Sequence, residues 1–244
     1  MKTKTIIAMG VFDGVHQGHR HIFKKIIQRS KKIRAQTVAY TFEPHPVRVL
    51  APHACPQMIN TIPQRIELIC DTGMDRVVVE KFTKTFAKQT PQQFVKNVIL
   101  KKLKPSEIFV GYNFTFGIKR SGTAEDLQKL CAQNQIQVHI VTPYYSGETL
   151  VSSTQVRHFL NQGDLARANH LLERPYFLDG SIVKGKGIGA KLLGIPTANL
   201  KTFQDHLLPM GVYITKIRIG KKLIPASPTS VTTPPFKRKA NHLL

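Results

Sequence analysis

The chain has 244 residues, room for one large or two modest domains, and a hydrophobic fraction of 41% that excludes a disordered polymer. Lys and Arg number 36 against 14 Asp and Glu; the formal net charge of +22 suits anionic partners such as nucleic acid, acidic membrane or phosphorylated small molecules. Much of this charge falls on helix faces such as Lys24, Lys25, Arg29, Lys31 and Lys32, so it does not choose among those partners.

The first half alternates strand-like and helix-like segments. Thr5–Met9 is short and apolar and reads as a buried strand. A helix is expected from Gly18 to Arg34, with Ile22, Phe23, Ile26, Ile27 and Ile33 on one stripe. Thr37–Phe42 is a second strand. Thr61 and Pro63 open a helix that ends at Gly73, and Arg76–Val79 is a third strand. Thr90 and Pro91 repeat the start signal for a helix to Leu103. Strand Glu107–Val110, helix Ala124–Asn134 and strand Gln137–Val141 complete the series. Such alternation implies a parallel, doubly wound α/β sheet, whose ligands bind beyond the carboxyl ends of the strands. After Leu172 the character changes: Tyr176–Val183 and Gly211–Ile219 read as strands without helices between them, predicting a β-rich second domain. The expected division is 1–174 and 175–244. Cys55, Cys70 and Cys131 form no CxxC pair, which argues against zinc and disulfides and fits a reducing cytoplasm. The N-terminal apolar run is too short for a signal peptide, and no stretch approaches a membrane span.

The segment Met9–His19 ends the first strand and opens the first helix. Its glycines allow close backbone approach to a ligand, and the helix start supplies free N–H groups and a positive dipole end. His16 and His19, three apart, point to similar sides of the first turn. Together they make a phosphate cradle with two imidazoles, fit for adenylyl transfer, in which an incoming phosphate attacks the α-phosphorus of ATP and no protein nucleophile is needed.

This segment, Gly10-Val11-Phe12-Asp13-Gly14-Val15-His16-Gln17-Gly18-His19, closely resembles the opening motif of bacterial FAD synthetases, the amino-terminal module of bifunctional riboflavin kinase/FMN adenylyltransferase. Three further segments match in order: Thr41–Pro46, Gly111–Gly117 with Lys119–Gly122, and Val151–Arg157. Val11 departs from the polar residue often found there. The resemblance implies a Rossmann-like nucleotidylyltransferase with catalytic His16, His19 and Arg157. It implies ATP-binding Gly10, Phe12, Asp13, Gly18, Asn113, Ser153 and Thr154, and flavin-binding Pro44 and His45. The residue chemistry agrees: Asn113 both donates and accepts, Ser153 and Thr154 can cap the helix carrying Arg157, and Arg157 can grip a phosphate in a bidentate way. For His45, between two prolines, a rigid turn is an equal reading.

Gly194–Asn199 resembles the P-T-A-N signature of riboflavin kinase, with a glycine-rich stretch at Gly185, Gly187 and Gly189 before it and Leu208–Tyr213 after it. The resemblance implies that Gly185, Thr197 and Asn199 hold Mg²⁺-ATP, with Thr197 and Asn199 as metal ligands. If His242-Leu243-Leu244 aligns with the family's H-L-L, the position of its catalytic glutamate is Ala240. Loss of a positioned base costs about 10²–10⁴-fold in rate, so a shortened β-barrel-like domain with an inactive kinase step is expected.

The chain is therefore expected to make FAD from FMN and ATP with Mg²⁺, releasing pyrophosphate. Its expected partners are small molecules (ATP, FMN and, for the second domain, riboflavin), not nucleic acid or membrane. The alternatives are a fully bifunctional enzyme, a nucleotidylyltransferase acting on pantetheine phosphate or nicotinate mononucleotide, and a non-catalytic basic protein that binds RNA or flavin.

Overall fold

The computed structural model describes residues 4–184, 198–220 and 222–231. Five parallel strands form the main sheet: β1 (Lys4–Met9), β2 (Ala35–Glu43), β3 (Arg76–Lys81), β4 (Glu107–Gly111) and β5 (Gln137–Val141), in the order β3-β2-β1-β4-β5. The chain builds outward from β1 to β3, then returns to lay β4 on the other side of β1. The reversal falls between β1 and β4, so their carboxyl ends flank the crevice where doubly wound sheets hold ligands.

Helix α1 (Gln17–Ile33) buries Ile22, Phe23 and Ile26 against the sheet, each contributing about 1.5–3 kcal/mol. It ends at Arg34, which takes a left-handed conformation at φ 51°. Helix α2 (Ile62–Cys70) starts at the expected Thr61, whose hydroxyl accepts from Gln64 N while the Gln64 side chain accepts from Thr61 N. Helix α3 starts at Thr90 with the same reciprocal pair, but only Pro91–Phe94 is α-helical. Val95–Leu103 is wound in the wider π form, and Lys104 N bonds Ile99 O five residues back; the sequence carries no mark of this. Helix α4 (Ala124–Ala132) is capped by Thr123. Across the base of the sheet, Arg29 forks onto the buried carboxylate of Glu107 at 2.7–2.9 Å and His139 reaches it at 2.7 Å, holding that carboxyl below its usual range.

Two helices follow the sheet, α5 (Ser153–Asn161) and α6 (Leu165–Leu172). Sequence reading expected the first and missed the second, which Asp164 caps through Arg167 N. They share a core of Ile59, Val151, Val156, Leu160, Ala168, Leu171, Leu172 and Leu207. No helix among the described residues is long and apolar enough to cross a membrane.

Beyond α6 the described residues form two antiparallel ribbons. The first pairs β6 (Gly180–Val183) with β7 (Asn199–Thr202), and the second β8 (Gly211–Ile219) with β9 (Lys222–Val231). Strand β8 matches the expectation; β6 starts four residues late. Most of the backbone of 176–179 bonds to side chains: Tyr176 N donates to Asn169 Oδ1, Asp179 N to Gln204 Oε1, and Phe177 O accepts from Gln204 Nε2, while Asp179 O accepts from the backbone of Phe203. Val212 and Ile214 lie exposed on β8. The expected sites Gly185, Gly187, Gly189 and Thr197, and the alignment at Ala240 and His242, lie outside the described residues.

Candidate active site

The loop after β1 is tightly folded. Phe12, Gly14 and Val15 have positive φ (56°, 88° and 42°), and a β-branched residue such as Val15 rarely adopts that region. Glycine adopts this region freely, but for Phe12 and Val15 it costs about 1–3 kcal/mol each and persists only when the surroundings impose it. Here Gly10 N donates to Tyr40 O and Thr41 Oγ1 to Val11 O, Ser153 Oγ donates to Asp13 O at 2.7 Å, and Arg174 Nη2 donates to Gly14 O at 2.8 Å.

His16 is the N-cap of α1, yet no side chain caps that helix, so its first amides and positive dipole end are left for an anion. The rings of His16 and His19 stack at 3.7 Å, nearly parallel at 20°. Gly18 makes room for this: a Cβ there would come within 3.2 Å of the His16 ring and 3.4 Å of Val151 O. The Nδ1 atoms of both rings are enclosed and lack a hydrogen-bond partner. Burial, then Arg157 and Arg174, pushes the His16 pKa down to about 3. Burial, then His16 and Arg65, holds His19 well below the usual imidazole range. Both rings are neutral at pH 7, and each carries one N–H to donate.

These depressed values make stability depend on pH. The unfolded chain takes up protons on histidine below about 6.5, whereas folded His16 and His45 resist down to about 3 and about 4. Their contribution is therefore intact above about pH 6.5 and lost as pH falls towards about 3. The melting temperature is expected to drop over that window, and less steeply in His16→Gln, measured by circular dichroism; an unchanged slope in the variant removes His16 as a cause.

Asp13 is the hub of the surrounding charges. It is 2% exposed, and its carboxylate accepts from Ile59 N, Asn60 N and, at 2.9 Å, Arg157 Nη2, with Arg65 Nη2 at 3.9 Å. Arg157 also donates through Nε to Gln57 O at 2.7 Å. Arg174 adds a third guanidinium, bonded to Gly14 O and Asn60 Oδ1, with its pKa lowered to about 10 by burial. The Nε atoms of Arg65 and Arg174 are enclosed without a partner. Three cations face one carboxylate beside neutral imidazoles, an arrangement that calls for a further anion.

The structure thus brings His16, His19, Asp13, Ser153 and Arg157 together but alters several expected roles. The Asp13 carboxylate is taken up by its donors and positions Arg157. Phe12 is buried, edge-on to His19 at 5.3 Å and against Phe23, so its ring backs the imidazole. Gly10 leaves space for the Phe12 ring, which a Cβ would meet at 2.9 Å. The cap of α5 is Ser152, accepting from Gln155 N, because the Ser153 hydroxyl is committed to the loop; Thr154 is exposed. Asn113 is exposed in the turn after β4, on the other flank of the crevice. Pro44 and His45 follow β2, where His45 Nδ1 accepts from Val47 N and starts a short helical turn, Pro46–Leu50. Burial pushes the His45 pKa down to about 4 despite Asp13. Asn199 is exposed on β7, and among the described residues no group of three or more His, Cys, Asp or Glu stands ready to hold a metal. Sequence reading missed Arg65 and Arg174: a lone arginine in a helix or at a domain junction reads as surface, and only the fold reveals Arg65 as 1% exposed.

Comparison with known proteins agrees with this geometry. The FAD synthetase family model matches residues 1–155, and the riboflavin kinase model matches 172–243. Three relatives carry the name bifunctional riboflavin kinase/FMN adenylyltransferase. The protein from Listeria monocytogenes is 33% identical over 88% of this chain and 68% of its own length. That of Buchnera aphidicola from Schizaphis graminum is 31% identical over 100% and 79%, and that of Escherichia coli K12 is 29% identical over 94% and 73%. A crystal structure described as a macrolide-efflux protein from Streptococcus pneumoniae superposes with a TM-score of 0.82 at 28% identity, covering 95% of this chain and 75% of that one.

Proposed function

The chain belongs to the bifunctional riboflavin kinase/FMN adenylyltransferase family, and from that premise we propose that it makes FAD in the crevice between β1 and β4. A phosphate oxygen of FMN forms a bond to the α-phosphorus of ATP, the bond from that phosphorus to the bridging oxygen breaks, and pyrophosphate leaves. The observation that carries the proposal is the pair of stacked, neutral imidazoles at an uncapped helix start, ringed by Arg65, Arg157 and Arg174. His16 and His19 donate N–H to the phosphates, and the charge building on the bridging oxygen is met by donors fixed before the reaction. Asp13 and Gln57 hold Arg157 towards the same place. Asn113 and the Pro44-His45 turn are assigned to the nucleotide and the flavin.

Mg²⁺, when bound, neutralises the leaving pyrophosphate. Of the metal pair expected in the riboflavin kinase-like part, Asn199 is exposed on β7 and Thr197 lies outside the described residues. A division at residue 174 into an adenylyltransferase domain and a riboflavin kinase-like domain belongs to the same proposal. The expected loss of the kinase step finds no support: the riboflavin kinase match over 172–243 favours both activities in one chain.

Incubation with FMN and Mg²⁺-ATP, followed by chromatographic separation of the flavins, is expected to yield FAD and pyrophosphate. Unreacted FMN refutes the reading. The same incubation started from riboflavin reports on the kinase step through FMN.

A further inference from the structure

Residues Asp205–Leu207, on the far side of the proposed division, pack onto the loop that holds Asp13 and Arg157. Asp205 Oδ2 accepts from Met58 N at 2.8 Å and lies 3.5 Å from Arg48 Nη2. His206 O accepts from Gln57 Nε2 at 3.0 Å. Gln204, 7% exposed, accepts from Gln64 Nε2 and Asp179 N and donates to Phe177 O, while Gln64 also donates to Asp179 Oδ2. Leu207, 3% exposed, enters the core that contains Ile59.

Four consecutive residues thus look both ways. Gln57 and Met58 are held by the 205–206 segment, Gln57 O accepts from Arg157, and Ile59 N and Asn60 N hold the Asp13 carboxylate. We infer that the second domain's Asp205-His206 segment positions the adenylyl-transfer site of the first, acting through the 57–60 loop on Arg157; the inference rests on the adenylylation reading above. The mechanism is local. The Met58 bond fixes the loop backbone, and the loop fixes both anchors of Arg157, so slack there is passed to the guanidinium. Small misplacements of a phosphate-gripping group have large effects on rate or affinity. Asp205 is a positioning residue on this account and touches no reacting atom.

The test uses the full chain and the FMN-to-FAD reaction, so that ATP use by the kinase step does not enter. Asp205→Ala removes the acceptor for Met58 N, whereas Asp205→Asn keeps an oxygen there. The KM for ATP is expected to rise about tenfold in Asp205→Ala, with kcat falling less, and to return most of the way in Asp205→Asn. A merely structural role lowers the amount of active enzyme, seen as a smaller kcat at unchanged KM. That outcome overturns the inference, as does a wild-type KM in Asp205→Ala or equal impairment of the two variants. A wild-type chain that makes no FAD overturns the adenylylation reading together with this inference. A working wild type with an unaffected Asp205→Ala overturns this inference alone.

Discussion

Replacing His19 with alanine is expected to lower kcat for FAD formation by about 10²–10³-fold, the usual effect of removing one donor from a preorganised charge-stabilising site. The ring is neutral, faces His16 at 3.7 Å and is backed by Phe12, so it is fixed before any ligand arrives. A donor so fixed acts most strongly where charge develops, which places the loss in kcat more than in the KM for ATP. The fold should survive, because the sheet core on this side is carried by Phe12, Phe23 and Ile26. Steady-state kinetics with varied ATP decide the matter, with circular dichroism as the control for folding. A kcat within a few-fold of wild type would remove His19 from the chemistry.

Asp13→Ala should act on stability as well as on activity. Removing one partner of a buried ion pair costs about 3–5 kcal/mol, because the other is left charged and uncompensated. Here the carboxylate is 2% exposed and serves Arg157, Arg65 and two backbone amides, while its own backbone sits in the strained loop. Urea unfolding should show a lower midpoint, and FAD synthesis should fall because Arg157 loses an anchor. Asp13→Asn, which keeps one acceptor oxygen, should lose less of both. Equal midpoints for Asp13→Ala and wild type would show that the three guanidiniums do not need this carboxylate.

Much of the first domain was legible in sequence because local signals and tertiary packing agree there. The cap pairs at Thr61 and Thr90 and the apolar stripe of α1 appear where the residues put them. The histidine pair was legible because three-residue spacing in a helix brings side chains onto one face whatever surrounds them. What escaped depended on contacts distant in sequence. Arg174 is 160 residues from Gly14, and Ser153 is 140 from Asp13, so neither bond leaves a local trace. The late start of β6 has the same origin, since Gln204 takes Asp179 N and Phe177 O, two groups that a longer strand would pair with backbone. Phe12 is another case: the motif marks it as part of the site, and only the fold shows that its ring is packed in the core beside His19.

The closeness of the two imidazoles limits how many protons the cradle can carry. At 3.7 Å, charging one ring raises the electrostatic cost of charging its neighbour, so protons enter in two separated steps that belong to the couple and not to either residue. A bound polyphosphate that draws a proton in would therefore leave one imidazolium and one imidazole, two unlike donors side by side at the reacting end of the nucleotide.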